Sequence, residues 1–427
     1  MRTVFCLIVL LKSLDFIYLF QIKEYRFDRF FSSLFEEGLW PIFYFRSIKL
    51  PAKTLRNFLI LLMVLFSLVF LFSLPVSSQL WLLILFPFVS FLIVSLSVLL
   101  TKIPVYFYRQ SLINKARLLI RNSLAVFIGI TGSYGKTTTK EYLCQILSSR
   151  YQVAKTEENM NTDVGVALSV IKNLKKNTQF FIVEMGAYKK GEIKAICDFV
   201  KPTLGIITAI GNQHLALFGS QENLIATKKE LLEALPSSGR AYVNAETVGF
   251  KELTKNLSCE IIPFYPSKTK IEELAAFDLG LSEKEISSVA KGLKPLPKRG
   301  SFYQGINNSL VIDDSYNSNV EGFLVMIKRA ETIKKQNKII ISRGIIELGK
   351  EKEPSYRRIL SELNKTRINL YTTDKLFKIL DRKNQVKLFK NDEELFKAIS
   401  EVCNKETLIV IEGKFSQNIL RKIILNY

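Results

Sequence analysis

A glycine-rich segment at residues 129–139, Gly-Ile-Thr-Gly-Ser-Tyr-Gly-Lys-Thr-Thr-Thr, constrains the fold more than any other part of the chain. The apolar run Leu124–Ile130 predicts a strand that leads into it, and the residues after it predict a helix. A glycine-rich turn between a strand and a helix presents backbone N–H groups to an anion. The segment therefore predicts a phosphate-binding loop in an α/β fold.

Five residues of this turn suit a nucleoside triphosphate. Gly132 and Gly135 allow close approach of the backbone, Lys136 supplies a positive charge, and Thr137 or Thr138 offers a hydroxyl to Mg²⁺. The spacing departs from the commonest phosphate-loop motif, because an isoleucine stands where the first glycine would be. An ordinary glycine turn with an incidental lysine is the alternative, and the coincidence of strand, turn, Lys-Thr pair and helix disfavours it.

The chain is basic, with a formal net charge of +21, but the charge is diffuse and has no interleaved aromatic residues. We therefore expect attraction to an anionic membrane face and binding of ATP, and no nucleic-acid partner.

Five cysteines lie far apart without a C-x-x-C pair, which fits a reducing compartment.

No charged residue occurs from Asn57 to Thr101. Two apolar runs, Phe58–Leu74 and Leu80–Leu100, approach or reach the roughly 20 residues that cross a hydrocarbon layer. They predict a transmembrane hairpin over residues 58–100, with a buried soluble hairpin as the alternative.

Basic residues border this stretch on both sides, whereas the connection between its two runs has no charge. The positive-inside rule therefore places both ends in the cytoplasm. Residues 1–20 are apolar but interrupted by Lys12 and Asp15, and could form a third span, an interfacial helix or an uncleaved signal anchor, of which we favour the span. We expect a multi-pass protein of the cytoplasmic membrane with its catalytic domains in the cytoplasm. The bordering basic residues are Lys49, Lys53 and Arg56 before the stretch, and Lys102, Arg109, Lys115, Arg117 and Arg121 after it.

Beyond residue 121, short β-rich runs alternate with amphipathic stretches, which predicts parallel sheets with ligands at the carboxyl ends of the strands. The first β-rich runs are Phe180–Met185, Leu204–Ile210 and Ala241–Val243. The proline-rich segment 294–300 resembles a linker, after which a second α/β rhythm begins, with strands predicted near Leu310–Asp313, Lys338–Ser342, Asn369–Thr372 and Thr407–Ile411. The predicted fold class is α/β: transmembrane helices, then a phosphate-loop domain, then a Rossmann-like domain. The predicted domains are a membrane-anchoring region at 1–121, a central ATP-binding domain at 122–294 and a C-terminal domain at 295–427.

Two candidate metal ligands follow predicted strands. Glu184 ends the run Phe-Phe-Ile-Val-Glu, and His214, the one histidine of the sequence, follows the run that begins at Gly205. A carboxylate and an imidazole at the ends of neighbouring strands suit a metal beside a nucleotide. A histidine at the edge of the core is an equally open interpretation.

The loop, Glu184 and His214 stand in the order found in the Mur ligases, the ATP-dependent amide-forming enzymes of peptidoglycan precursor synthesis. Over residues 122–427 the chain resembles the MurF type, which adds D-alanyl-D-alanine. The other motifs that carry this resemblance are Asn159-Met-Asn-Thr-Asp-Val-Gly-Val-Ala-Leu168, Glu184-Met-Gly-Ala187 with Gly191-Glu-Ile193, Ile207-Thr-Ala-Ile-Gly-Asn-Gln-His214, Phe218-Gly-Ser220 with Ile225-Ala-Thr-Lys-Lys-Glu230, Asp313-Asp-Ser-Tyr-Asn-Ser-Asn319 and Glu347-Leu-Gly349.

The resemblance implies a role for each site residue. Lys136, Lys228 and His214 would be catalytic, and two Mg²⁺ ions would be held by Thr137, Glu184, His214 and a carbamylated Lys228. Without the resemblance, Lys228 reads as a solvated helix lysine. The implied ATP-binding residues are Thr131, Gly132, Ser133, Tyr134, Gly135, Lys136, Thr137, Thr138, Arg299, Asp314, Tyr316, Asn317 and Asn319.

By the same resemblance, a carboxylate of a muramoyl-peptide-like acceptor attacks the γ-phosphate of ATP, and an amino acid or dipeptide then displaces phosphate from the acyl phosphate. Three departures from the family bear on the substrates. First, apolar segments stand where the family usually has the domain that binds the UDP-sugar. Second, Tyr188-Lys-Lys190 replaces an asparagine-histidine pair, and Asn319-Val320 replaces an asparagine-proline pair. Third, Ser342-Arg-Gly and Glu412-Gly-Lys414 replace motifs near the amino-acid pocket. A poly-γ-glutamate-synthetase-like ligase and a catalytically weakened ATP-binding membrane scaffold are the alternatives.

Overall fold

A computed structural model of the chain describes residues 2–45, 48–75, 84–211, 218–345 and 348–425. The chain divides into two compact units, residues 1–114 and 115–427. The described residues of the first unit are mainly helical, and those of the second form two sheets with helices between the strands.

The first unit is built on long apolar helices. Its elements are α1 (Arg2–Ile22), α2 (Phe27–Glu37), a π-helical turn (Pro41–Phe45), α3 (Leu55–Ser73) and α4 (Phe86–Leu100), followed by α5 (Lys102–Arg121), which contains the boundary between the units. α1, α3 and α4 pack around a shared apolar core. The outer faces of α3 and α4 are apolar as well, with Phe66 79% exposed and Leu92 69% exposed.

Within the described residues, three helical stretches are long and apolar enough to cross a membrane, namely Arg2–Ile22, Leu55–Ser73 and Phe86–Arg121. The two helices predicted within residues 58–100 are therefore present, and most of their connection lies outside the described residues. Arg2–Ile22 is helical as well, which agrees with the favoured interpretation of residues 1–20.

Two charged side chains inside this bundle pair with each other. Lys12 and Asp15 are buried within α1, and the Lys12 ammonium lies 3.0 Å from Asp15 Oδ2 and donates a hydrogen bond of 2.9 Å to the Ile42 carbonyl. A charged pair among apolar helices is tolerated only when its members satisfy each other, as these do.

The second unit begins with a six-stranded parallel sheet. Its elements are β1 (Val126–Thr131), α6 (Lys136–Leu147), β2 (Val153–Lys155), α7 (Asp163–Asn173), β3 (Phe180–Glu184), α8 (Glu192–Val200), β4 (Leu204–Ile207), α9 (Gln221–Glu233), β5 (Arg240–Asn244), α10 (Phe250–Thr254), β6 (Glu260–Phe264), α11 (Ile271–Asp278) and α12 (Glu283–Ala290). The strand order is β2-β3-β1-β4-β5-β6. β1 lies inside the sheet and is almost wholly buried, as is typical of a parallel strand covered on both faces.

A second six-stranded sheet follows. Its elements are β7 (Ser301–Gln304), a 3₁₀ turn (Ile306–Asn308), β8 (Leu310–Asp314), α13 (Val320–Thr332), β9 (Asn337–Ser342), a 3₁₀ turn (Gly349–Glu351), α14 (Lys352–Leu363), β10 (Asn369–Thr372), α15 (Lys375–Leu380), β11 (Val386–Leu388), α16 (Asp392–Val402), β12 (Thr407–Glu412) and α17 (Gln417–Ile423). The order is β11-β10-β9-β12-β8-β7, and all neighbours are parallel except the antiparallel edge strand β7.

The α/β fold class is confirmed by these two sheets, whereas the domain boundaries at 121 and 294 stay predictions. Four strands are absent from the sequence-based interpretation: β2, β6, β7 and β11. They have three to five residues and lie at or beside sheet edges, so their sequences show too little periodicity to predict a strand. In the first sheet, which is all parallel, the carboxyl ends of the strands share one edge, and the phosphate-loop segment follows β1 at that edge.

Candidate active site

The predicted phosphate loop joins β1 to α6. Gly132 and Gly135 have positive φ angles of 152° and 84°, which favour glycine, and Gly135 is the N-cap of α6. Lys136 begins the helix, and its ammonium folds back to donate hydrogen bonds of 2.6 Å to the Gly132 carbonyl and 3.2 Å to the Ser133 carbonyl. The loop therefore gathers a cation and a helix N-terminus at the end of a buried strand, an arrangement that binds anions.

Neighbouring strands hold the loop in place. The Ser133 backbone N–H donates to the Ala209 carbonyl at 2.7 Å, and the Gly211 N–H donates to Ser133 Oγ at 3.1 Å. On the other side, Thr131 Oγ1 donates to the Met185 carbonyl at 2.8 Å. The segments after β3 and β4 thus fix the conformation of the loop from both sides.

Replacing Gly132 with alanine should destroy this loop. An added Cβ would lie 2.1 Å from Thr208 Oγ1 and 2.9 Å from the Ala209 carbonyl oxygen, so the loop or its bracing segment must move. We expect Gly132→Ala to weaken binding of a fluorescent ADP analogue by at least about 100-fold, because several backbone donors lose their position together.

Gly280→Ala is the matched control, because this residue also has a positive φ angle of 97° and meets only the Tyr151 hydroxyl at 3.2 Å. It should cost about 1 kcal/mol of unfolding free energy and leave nucleotide affinity intact. Equal losses of affinity in the two variants would contradict the assignment of the loop.

Oxygen donors for a metal meet beside the loop. Thr137 Oγ1 donates to Glu184 Oε1 at 3.1 Å, and Asn161 Nδ2 donates to the same oxygen at 3.3 Å. Glu184 is the last residue of β3 and is only 4% exposed. A hydroxyl and a carboxylate are ligands that Mg²⁺ prefers, so the pair Thr137 and Glu184 fits the magnesium ion that the fold implies.

Glu184 also faces a buried lysine that the sequence-based interpretation missed. Lys140 is fully buried, and its ammonium lies 3.2 Å from Glu184 Oε2 and 3.5 Å from Glu141 Oε1. Burial by itself raises the pKa of Glu184, but the ammonium groups of Lys140 and Lys136 lower it, and the net pKa lies below the ordinary glutamate value. The carboxylate is therefore charged and ready for a cation at neutral pH.

Only part of the predicted metal set can be placed. Thr137 and Glu184 are in contact, whereas His214 lies outside the described residues. Within the described ranges, no three His, Cys, Asp or Glu side chains come together as a metal cluster. Coordination by His214 and by a modified Lys228 stays a prediction.

Lys228 lies on α9 and is 3% exposed, which excludes a solvated helix lysine. Its ammonium lies 6.0 Å from the centroid of the Phe218 ring. Burial lowers its pKa and the Lys136 charge lowers it further, while Glu192 and Glu230 raise it, and the result is a pKa of about 7. A large fraction of the amine is therefore neutral at physiological pH, and a neutral amine is the form that reacts with carbon dioxide.

Two of the predicted nucleotide-binding residues, Arg299 in the linker segment and Tyr316 after it, contact each other near the first sheet's domain. The Arg299 guanidinium stacks on the Tyr316 ring, with its carbon 3.8 Å from the ring centroid. The Tyr316 hydroxyl donates a hydrogen bond to Asn159 Oδ1, in the asparagine-rich loop before α7. These contacts bring Arg299 and Tyr316 to the same cleft as the loop.

The other predicted residues of this group have local roles as well. Asn319 caps α13 by accepting a hydrogen bond from the Gly322 N–H at 2.9 Å. Asp314 lies opposite Glu412 in the register of β8 and β12. Burial raises the pKa of both carboxyl groups, and the nearby charge of Asp314 raises the pKa of Glu412 further. Asn317 is half-buried, as is Thr138 of the phosphate-loop segment. The sequence-based interpretation named Glu412 in an altered motif near the amino-acid pocket but did not place it opposite Asp314, because that position follows from strand pairing.

A cavity of about 470 Å³ opens beside the loop. Tyr134 of the loop lines it on one side, and Glu321 and Lys328 of α13 with Arg358 of α14 line the other. Arg358 binds Glu321 through two hydrogen bonds of 2.6 and 3.1 Å. The volume lies in the range of small-molecule sites, and both sheets' domains contribute to its wall.

Comparison with known proteins agrees with this geometry. Residues 130–295 match the Mur ligase middle domain. The UDP-N-acetylmuramoyl-tripeptide–D-alanyl-D-alanine ligase of Bacillus subtilis (strain 168) is 24% identical over 335 residues, which is 67% of this chain and 72% of that protein. The ligase of the same name from Synechocystis sp. is 28% identical over 256 residues, 52% of this chain and 56% of that one.

The fold is also found among solved structures. MurF from Thermotoga maritima, solved in complex with ADP, superposes with a TM-score of 0.63 at 21% identity and covers 74% of this chain and 82% of its own. At that identity the likeness concerns the fold, whereas the match of the middle domain concerns the sequence around the phosphate loop. Residues 130–295 of the chain are therefore a Mur ligase middle domain by sequence, and the chain shares the fold of MurF.

Proposed function

We propose that this protein is an ATP-dependent ligase that forms an amide bond and releases ADP and phosphate. The observation that carries the proposal is the phosphate loop with Lys136 at its centre and the Thr137–Glu184 pair beside it. The relatives are ligases by name, and the Thermotoga protein of the same fold binds ADP.

In this proposal the loop amides and Lys136 bind the β- and γ-phosphates, and Arg299 approaches them from the C-terminal domain. Thr137 and Glu184 hold Mg²⁺, with His214 and a carbamylated Lys228 completing the sites for two ions. When bound, the metal neutralises charge that develops on the phosphate oxygens. Asp314, Tyr316, Asn317 and Asn319 contact the nucleoside.

The reaction has two displacements. An acceptor carboxylate attacks the γ-phosphorus of ATP. The bond between this phosphorus and the β,γ-bridging oxygen breaks, and ADP leaves with the electron pair of that bond. The amine nitrogen then attacks the acyl carbon, phosphate leaves, and the amine loses one proton. Lys136 and the loop amides stabilise the anionic transition state of the first displacement, where fixed donors have their largest effect.

For the substrates, the names of the relatives suggest a muramoyl-peptide acceptor and D-alanyl-D-alanine. One observation favours another acyl chain, as in poly-γ-glutamate synthetases: the residues before the matched region form apolar helices in this chain. We expect phosphate release with a UDP-muramoyl tripeptide and D-alanyl-D-alanine, above that with lipid-linked precursors, other D-amino-acid dipeptides or poly-γ-glutamate. ATP binding without phosphate release on any acceptor would favour the membrane scaffold.

We further propose that the three apolar helical stretches cross the cytoplasmic membrane and that the second unit lies in the cytoplasm. The lengths of the stretches, their apolar outer faces and the basic residues on both sides of 57–101 support this placement.

Cysteine labelling tests this topology in cells that produce a variant with its five native cysteines replaced. We expect Lys115→Cys to react with a membrane-impermeant maleimide only after permeabilisation, and Ser77→Cys to react in intact cells, because basic flanks stay inside. Labelling of Lys115→Cys from outside intact cells would overturn the orientation.

A further inference from the structure

The buried cation beside Glu184 has no part in the reaction described above. Lys140 lies one helical turn after Lys136 and Thr137 on α6, so the three residues share one face of the helix. Its side chain is fully buried, which is costly for an ammonium group unless a partner compensates it. Glu184 is that partner, with Glu141 at a slightly longer distance.

The two oxygens of Glu184 have different surroundings. Oε1 accepts the hydrogen bonds from Thr137 and Asn161, on the side of the proposed metal ligands. Oε2 faces the Lys140 ammonium at 3.2 Å. The Lys140 ammonium therefore forms an ion pair on the Oε2 side of the carboxylate, whereas Oε1 lies among the proposed metal ligands.

We propose that Lys140 is a positioning residue that confines Glu184 to single-oxygen coordination and thereby favours Mg²⁺ over Ca²⁺. The inference rests on the proposed function, in which Glu184 is a ligand of the ATP-bound metal. Mg²⁺ requires six ligands in near-ideal octahedral geometry, whereas the larger Ca²⁺ accepts seven or eight and commonly takes both oxygens of a carboxylate. A carboxylate with one oxygen engaged by an ammonium suits the smaller ion.

The buried charge has a second consequence for the metal-free protein. Without Lys140, the carboxylate of Glu184 would be buried with no opposite charge at its Oε2 side. Lys140 thus compensates the buried charge of Glu184.

The test is a metal titration of the full chain in detergent, loaded with ADP, in which the dissociation constants of Mg²⁺ and Ca²⁺ are measured by calorimetry. We expect Lys140→Met to lower the ratio of the Ca²⁺ constant to the Mg²⁺ constant by about 10-fold or more, the size of effect typical of groups that orient metal ligands. Because both ions are measured on one sample, a smaller folded fraction in the variant cancels in the ratio.

Two further variants test whether the effect comes from the Lys140 side chain itself or from the loss of a positive charge in its surroundings. Lys140→Gln places a neutral hydrogen-bond donor on the Oε2 side of Glu184, so it should keep more of the discrimination than Lys140→Met. Lys155→Met removes a charge from the same network, where Lys155 pairs with Glu141, and it should leave the ratio unchanged.

An unchanged ratio in Lys140→Met, in a wild-type protein that binds ADP and Mg²⁺, would overturn this inference and leave the proposed function standing. Failure of the wild-type protein to bind ADP with either ion would overturn both. A lower ratio in Lys155→Met as well would also overturn it, because the effect would then come from general charge.

Discussion

Lys136→Ala should lower ATP turnover by about 100- to 1000-fold, the usual cost of removing one fixed donor from an anionic transition state. Lys136 begins α6, and its ammonium lies over the loop carbonyls of Gly132 and Ser133, where a phosphate would bind. The measurement is phosphate release at saturating ATP, with circular dichroism and thermal unfolding to check the fold.

The fold should survive this change, because the Lys136 side chain is half-buried and contacts the loop backbone. Lys291→Ala removes an exposed lysine of the same unit and serves as the control for net charge. Turnover of Lys136→Ala within tenfold of the wild-type rate would contradict the assignment of the phosphate loop.

Lys228→Ala is expected to lose nearly all activity and to recover part of it with added formate or acetate. The proposed carbamate is an anion in a buried site, and a short carboxylate can take its place in the space that the truncated side chain leaves. Phosphate release with and without added carboxylate measures the effect, which should be about 100-fold without rescue.

The proposed carbamylation of Lys228 also predicts that the activity depends on carbon dioxide and pH. The neutral amine attacks carbon dioxide and releases one proton, so the reaction needs Lys228 unprotonated. Its pKa is about 7, below the ordinary lysine value, so the neutral fraction is large above pH 7 and shrinks to about one tenth at pH 6. Reactivation of carbon-dioxide-depleted enzyme should therefore slow as the pH falls from 8 to 6.

Lys229→Ala is the matched control on the same helix, since Lys229 donates to the Lys255 carbonyl and is partly exposed. It should keep wild-type activity at both carbon dioxide levels. Full activity of Lys228→Ala without carbon dioxide dependence would show that the burial of this lysine has only a structural role.

Much of the fold was predictable from local patterns. The buried strands of both sheets have apolar runs bounded by turns, and the strand predicted near Leu310–Asp313 is β8, Leu310–Asp314. The short strands β2 and β11 were not predictable, because three residues carry too little pattern and their pairing depends on a longer neighbour.

For the site, the sequence predicted the loop and Glu184, but neither the contact of Lys140 with Glu184 nor the position of Glu412 opposite Asp314. The spacing of Lys140 from Thr137 places both on one helix face, but the same spacing occurs in solvated helices. Only the burial of that face against β3 shows that Lys140 must pair with Glu184.

By itself the sequence determined the features that neighbouring residues encode. These are the glycine-rich loop, whose positive φ angles at Gly132 and Gly135 favour glycine, and the apolar stretches, whose length suffices for a membrane span. The tertiary structure decided the charge states and pairings: the depressed pKa of Lys228, the Glu184–Lys140 contact and the opposition of Asp314 and Glu412. The physical reason is that desolvation and electrostatic pairing depend on groups brought together from distant parts of the chain, whereas backbone conformation and hydrophobic length are properties of consecutive residues.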